Sequence, residues 1–284
     1  MPNGPPVHSL LGPLLLFGAA LATALGAECA HAGDASVGII VIKEHGVGSQ
    51  ALAQPYLDKF VAMAADLNGW DRAEGKYFTS RTAAEPYIDA NKPHYGILGL
   101  AAFLAMRTHY DLTVVGQVAV SLAGGRQYHL ISRDARDLAD CKGKTLASDH
   151  ADDARFIDRV VAGKSFTLHD FTLVPTQRPL LTIKKVVAGE AVCALIDEAQ
   201  LGELGHLEGA EGVHSVWHSA ELPPMAVVAF TAAPTAERKR FVENLDKICD
   251  EDGKTACGEV GIESLEAASA ADYAAVIAAY GNGK

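Results

Sequence analysis

From residue 37 onward the chain alternates short, nearly unbroken apolar runs with stretches whose apolar residues recur every three or four positions. Val37-Gly-Ile-Ile-Val-Ile42 has the continuous character of a strand buried on both faces. Leu52, Tyr56, Phe60, Met63 and Leu67 follow at helical spacing. The same reading predicts strands over 76–79, 95–100 and 112–120, with helices over 81–90 and 101–109 between them. Beyond Gly124-Gly125, extended segments are predicted at 128–132, 144–147, 192–196, 213–218 and 225–230, and helices at 152–162 and 179–188. The last fifty residues read as mostly helical. Phe241, Val242, Leu245 and Ile248 share one face, and Tyr273, Val276, Ile277 and Tyr280 another, with Ser269 as a cap. Strand-helix alternation implies an α/β protein with parallel strands. No repeat or low-complexity linker separates the two halves, so two units joined by strands are predicted.

Composition narrows the function. The 284 residues carry 24 Lys+Arg against 35 Asp+Glu, a net charge of −11, and 49 % are hydrophobic. That balance excludes global disorder and argues against a nucleic-acid binder, since the only basic cluster is Arg238-Lys239-Arg240. One long apolar run, Ser9 to Ala27, precedes the A-x-A pattern Ala30-His31-Ala32. Together they predict a secretory signal peptide over residues 1–32, although its start lacks Lys and Arg; an uncleaved anchor is the alternative. Export to the periplasm follows. Four cysteines then remain, Cys141, Cys193, Cys249 and Cys257, an even number that favours disulfides among three possible connectivities. The short loop across a Gly-containing turn favours Cys249 with Cys257. No C-x-x-C, H-x-x-H or H-E-x-x-H spacing suggests a metal site, and no G-x-S-x-G, P-loop or G-x-G-x-x-G suggests an enzyme. Neither a cofactor nor a catalytic residue is predicted.

Three segments carry a family resemblance. Leu138-Ala-Asp-Cys-Lys-Gly-Lys-Thr-Leu-Ala147 resembles the "L-x-D-L-K-G-K" start of the second lobe of periplasmic solute-binding proteins. Lys185 to Asp197 is similar to their "V-x-x-G-E-A-D-A-A-x-I-D" segment, and Gly261-Ile262 and Asp272-Tyr273 match two C-terminal landmarks. The subfamily is the PhnD-like phosphate, phosphite and phosphonate type that serves ABC transporters. The resemblance implies a two-lobed type II (Venus-flytrap) fold: lobe 1 from residues 36–127 plus 227–284, lobe 2 from 128–226. Two crossing strands near 127–132 and 226–230 would form the hinge. It also implies that Cys141 and Cys193 pair, since both lie near the starts of neighbouring second-lobe strands. The partners implied are a small-molecule ligand and an ABC permease, or a membrane sensor kinase in its place, with the chain a monomer.

Ligands of open α/β sheets sit beyond the carboxyl ends of the strands. Those ends hold Lys43, Glu44 and His45; Arg81 and Thr82; Leu100; Gly116-Gln117; Ser148, Asp149 and His150; Gln177 and Arg178; and Asp197. Two departures from the resemblance bear on the ligand. The turn expected to be rich in hydroxyls reads Ser148-Asp-His-Ala-Asp-Asp153, and its carboxylates repel phosphate. On the opposing loop, Leu100 and Phe103 replace a Pro and a polar aromatic residue. The expected ligand is therefore not a phosphonate. It is a cationic or zwitterionic solute paired with Asp149 or Glu44, or else a largely apolar, lipid-like molecule. Several residues have plainer alternatives: Asp149 and Asp197 as helix caps, Arg81 and Arg178 as interlobe ion pairs, and Phe103 as core.

Overall fold

The computed structural model describes residues 36–45, 50–121, 124–250, 253–259 and 261–281. The signal-peptide segment, Cys29 and the Gly46-Val-Gly48 stretch lie outside the described residues. In chain order the elements are β1 (Val37–Ile42), α1 (Gln50–Asn68), β2 (Ala73–Phe78), α2 (Arg81–Asn91), β3 (Tyr95–Leu98), α3 (Leu100–Met106) and β4 (Thr113–Val120). Then follow β5 (Tyr128–Ser132), α4 (Leu138–Cys141), β6 (Thr145–Ser148), α5 (Ala154–Phe156), β7 (Thr172–Pro175), α6 (Pro179–Val187), β8 (Cys193–Asp197), α7 (Glu198–Gly202) and β9 (His214–His218). The chain closes with β10 (Met225–Ala229), α8 (Thr235–Asn244), α9 (Gly253–Glu259), β11 (Ile262–Ala267) and α10 (Ala274–Gly281).

The strands form two sheets. The first has the order β11-β4-β10-β3-β1-β2, and the second β7-β6-β8-β5-β9. In each, a parallel half (β2, β1, β3; β7, β6, β8) is joined to antiparallel strands. The central strands β3, β5, β8 and β10 are buried at every position, which is why they read as continuous apolar runs. One buried cluster lines the facing sides of both sheets, running from Ile40, Leu98 and Phe103 through Tyr273 and Tyr128 to Leu146 and Phe156. Two smaller clusters fill the outer faces, one around Phe60, Tyr95 and Phe241, the other around Ile131, Ile183 and Ile196.

Several expectations are corrected. The expected hinge strands belong wholly to single sheets: β5 pairs only with β8 and β9, and β10 only with β3 and β4. The crossings are the non-strand segments before Tyr128 and between His218 and Met225. Met225 and Ala226 thus fall in the first sheet, where the sequence put them in lobe 2. The last fifty residues contain β11, which covers the β4 edge, and β7 was not predicted at all. The 152–162 helix is a single α turn followed by a π-helical turn, Ile157–Val161.

Both disulfides are present. Cys141 pairs with Cys193 at a Cα separation of 6.0 Å, and Cys249 with Cys257 at 5.5 Å. The first ties α4, which precedes β6, to the start of the neighbouring strand β8. Among the described residues no helix is long and apolar enough to cross a membrane.

Candidate functional site

The carboxyl ends of β1 and β3 in one sheet meet those of β6 and β8 in the other. β1 hands the chain to Lys43, Glu44 and His45. Ser80 caps α2, its hydroxyl accepting from the Ala83 amide at 3.2 Å, and so fixes Arg81 at the first helical position. The Glu44 carboxylate accepts from the Arg81 amide at 3.0 Å, from Nε at 2.9 Å and from Nη2 at 2.6 Å. Arg81 Nη1 reaches across to the second lobe and donates to Asp153 Oδ2 at 2.8 Å. Asp153 Oδ1 meanwhile caps α5, accepting from the Phe156 amide at 3.0 Å. All three side chains are less than one-fifth exposed. Burial alone would lower the Arg81 pKa, but Glu44 and Asp153 more than reverse it. Burial would likewise raise Glu44, but Arg81 holds it below the ordinary carboxylate value.

A second bridge lies beside the first. His45, at φ 56°, turns its ring into the opposite lobe, with Nδ1 3.8 Å from Asp149 and Nε2 3.5 Å from Asp152. Its ring centroid is 4.5 Å from that of His150. Burial lowers the pKa of both imidazoles. Asp149 is not a helix cap: it accepts from Thr182 Oγ1 at 2.9 Å and from Gln200 Nε2 at 3.1 and 3.0 Å. Ser148 Oγ accepts from the His150 amide at 3.0 Å and donates to the Leu195 carbonyl at 3.1 Å. A third bridge stands where the last helix meets lobe 2. There the Arg155 guanidinium lies 4.8 Å from the Tyr280 ring centre, and Arg159 donates to the Tyr280 carbonyl at 3.4 Å.

Between these bridges and the crossings lies a small cavity of about 40 Å³. Lys43, Glu44, His45, Leu100, Tyr128, His150 and Asp197 line it, with Val118 to Val120 and Met225 as its apolar side. That space holds only a few waters, so the lobes are shut on their own side chains. Lys43 Nζ donates to the Gly124 carbonyl at 3.4 Å, and burial lowers its pKa against the opposing charges of Asp197, Glu198 and Glu44. Asp197 caps α7: Oδ1 accepts from the Gln200 amide at 2.9 Å, and its own amide donates to Gln200 Oε1 at 2.9 Å. Burial pushes its pKa up to about 6, with Lys43 opposing. Gly124, at φ +70°, lies so close that a Cβ there would sit 2.1 Å from Asp197 Oδ2. Glu198 fixes the first crossing, accepting from the Arg126 and Gln127 amides at 2.9 Å each.

Most of the sequence-predicted residues converge here. Lys43, Glu44, His45, Leu100, His150 and Asp197 line the inner cavity, while Ser148, Asp149, Gln177 and Arg178 line an open groove outside it, which His45 also borders. Arg81 bridges the lobes. Three residues do not belong. Thr82 is exposed and lines neither space. Phe103 is wholly buried, packed edge-on against Tyr273 at 5.3 Å, because it lies on the core side of α3. Gln117 sits within β4 and bonds Glu266 at 2.6 Å, away from any strand end. Sequence reasoning missed Tyr128, Arg126 and the Val118–Val120 wall. The glycine pair just before Tyr128 marks the turn that brings them together. Among the described residues no group of three or more His, Cys, Asp or Glu side chains is placed to hold a metal ion.

No protein-family model matches the sequence, and no curated protein does. Solved structures do. A Xanthomonas citri protein bound to ATP is similar over 87 % of this chain and 96 % of its own, with 13 % identity and a TM-score of 0.66. PhnD1 from Prochlorococcus marinus, in complex with methylphosphonate, is similar over 86 % and 97 %, with 12 % identity and a TM-score of 0.61. The alkanesulfonate-binding protein SsuA from Xanthomonas axonopodis, bound to MOPS, is similar over 85 % and 90 %, with 18 % identity and a TM-score of 0.54. The fold is that of a type II periplasmic binding protein. In a fold of this kind the enclosed space between the lobes is the natural place for a ligand.

Proposed function

We propose that this chain is an exported solute-binding protein that captures a small molecule between its lobes and presents it to an ABC permease. It acts in the periplasm as a monomer, and catalyses no reaction. Its ligand carries positive charge and is not a phosphonate. One observation carries the ligand reading. The facing walls hold six carboxylates, Glu44, Asp149, Asp152, Asp153, Asp197 and Glu198; of the cations, Lys43 and Arg126 line the cavity, Arg81 bridges the lobes beside it, and Arg178 and Lys184 border the outer groove. Arg81 is already committed to Glu44 and Asp153 and Arg126 to Glu221, and Lys43 stands in the field of Asp197, Glu198 and Glu44. An incoming dianion would face uncompensated carboxylates at the cost of its own desolvation. A cation would replace His45 beside Asp149 and Asp152.

Calorimetric titration of the mature protein with choline, glycine betaine, putrescine and methylphosphonate tests this. We expect heat from at least one cationic or zwitterionic probe and none from methylphosphonate, with the signal lost in Asp152→Asn. Micromolar binding of methylphosphonate would overturn the ligand reading. The apolar side formed by Leu100, Val118 and Met225 supports a second reading, a lipid-like ligand in a widened cleft. A fatty-acid probe whose binding survives Asp152→Asn but not Leu100→Asp would favour it. A sensor kinase in place of the permease leaves all of these outcomes unchanged. Export is tested by N-terminal sequencing of periplasmic material, which should begin close to Gly33.

A further inference from the structure

We propose that a cross-strand histidine pair, His129 and His218, is a binding site for a divalent transition-metal ion at the base of the hinge. His129 lies on β5, directly opposite His218 on the edge strand β9, and the ring centroids are 6.0 Å apart. The hydrogen bonds around the pair decide which ring nitrogens carry protons. Ser215 Oγ lies 3.1 Å from His129 Nδ1 and donates its only proton to the Trp217 carbonyl, also at 3.1 Å. With the hydroxyl proton on the Trp217 carbonyl, His129 Nδ1 donates to Ser215 Oγ, and its Nε2 lone pair is bare. His218 Nδ1 lies 3.0 Å from the Ser219 carbonyl, which can only accept. The Gln127 amide is 3.3 Å from that same nitrogen and donates to the Ser219 carbonyl at 3.1 Å. His218 Nε2 is bare as well. Among the described residues neither Nε2 has a hydrogen-bond partner.

Two imidazoles held in the Nδ1–H form by outer acceptors are the arrangement that metal-binding histidines use. With metal–nitrogen bonds of about 2 Å, a shared ion places ring centres roughly 5–6 Å apart, close to the separation seen. Imidazole pairs suit Cu²⁺, Ni²⁺ and Zn²⁺, with Cu²⁺ the strongest binder in the divalent series. Two protein ligands leave the remaining positions to water. His129 comes just after the first crossing and His218 just before the second. An ion between them would staple the two crossings together on the lobe 2 side.

The test is Cu²⁺ titration of the metal-stripped mature protein by calorimetry, with electron paramagnetic resonance to count nitrogen ligands. We expect one site per chain with two nitrogen ligands. His218→Ala, an exposed substitution with little risk to folding, should weaken it at least tenfold. Ser215→Ala, which releases the His129 tautomer, should weaken it by about tenfold. His214→Ala, on the same strand but bonded to the Gly212 carbonyl at 3.0 Å, should leave it unchanged. Unaltered Cu²⁺ affinity in His218→Ala would overturn the proposal. So would a wild-type titration with no two-nitrogen site, or equal losses in His214→Ala and His218→Ala.

Discussion

The first-lobe wall of the cleft carries Lys43 and Arg81 on an apolar background of Leu100, Ala101, Ala102 and Val118, with Glu44 beside them. The second-lobe wall carries Asp149, Asp152, Asp153, Asp197 and Glu198, set in polar networks with Gln200, Thr182 and Ser148. One side is positive and greasy, the other acidic and hydrogen-bonded. Charges so divided attract across the gap, and the Arg81–Asp153 ion pair is the result. On the function proposed above, a ligand would displace a bridge that already exists, and the closing energy it supplied would be the difference between its contacts and those it replaced.

The largest expected effect tests how the acidic wall is braced. The Cys141–Cys193 bridge closes a 52-residue separation and supports β6 and β8, which end at Ser148 and Asp197. Replacing both with Ser should cost about 4 kcal/mol by chain entropy and loosen the acidic wall. The Cys249–Cys257 bridge closes a separation of only 8 in the first lobe, so its loss should cost about 2.5 kcal/mol and leave the cleft unaltered. Denaturant midpoints measure both, and equal losses would erase the contrast. Next is Arg81→Met, which strands two mostly buried carboxylates. A loss of about 3 kcal/mol is expected, with a larger radius of gyration in solution scattering. Adding Glu44→Gln and Asp153→Asn should recover most of the stability, because a neutral trio leaves no buried charge unpaired.

The pH response is smaller. Asp197 has a folded pKa of about 6, above its unfolded value of 3.8. Between those values the folded state holds the extra proton, so this group adds stability as pH falls from 7 to 4 and withdraws it as pH rises through 6. His45 and His150 act oppositely. Their folded pKa values are depressed, so the stability they contribute is present above pH 6.5 and lost as pH falls below it. Asp197→Asn keeps a capping side chain and should lose more stability than wild type between pH 6 and 4, by about 2 kcal/mol. Parallel melting curves across that range would break this assignment. Smallest is Thr82→Ala, expected within about 0.5 kcal/mol of wild type and without effect on binding.

Much of the fold was legible because its central strands are buried on both faces and so stand out as apolar runs, as at Val37–Ile42 and Met225–Ala229. The strands that escaped are edges. In β11, Ile-Glu-Ser-Leu-Glu-Ala alternates with only Leu265 buried, and β7 is four residues ending in proline. Neither presents enough apolar surface to be separated from a loop. The π turn at Ile157–Val161 left no trace, since one extra residue per turn barely shifts a helical pattern. At the site, strand-end logic located the loops but not the direction of each side chain. It could not tell Leu100, which faces the cavity, from Phe103, which faces the core one turn later. The sequence offered Arg81 as an interlobe ion pair, and the structure bears that out, but its partner Asp153, 72 positions away, has no local signature.

The proline that hid β7 has a further consequence. An edge strand offers a row of unmatched backbone groups to any other chain. Pro175 closes that row with a residue that has no N–H to give, directly opposite Ser148. On the other sheet, β2 exposes Glu74 and carries Gly75 and Lys76 mid-strand, a charged and kinkable border. Exposed edge strands carry a risk of edge-to-edge association between copies of a chain. These two borders discourage it by chemistry rather than by cover, which should keep separate copies of the chain apart.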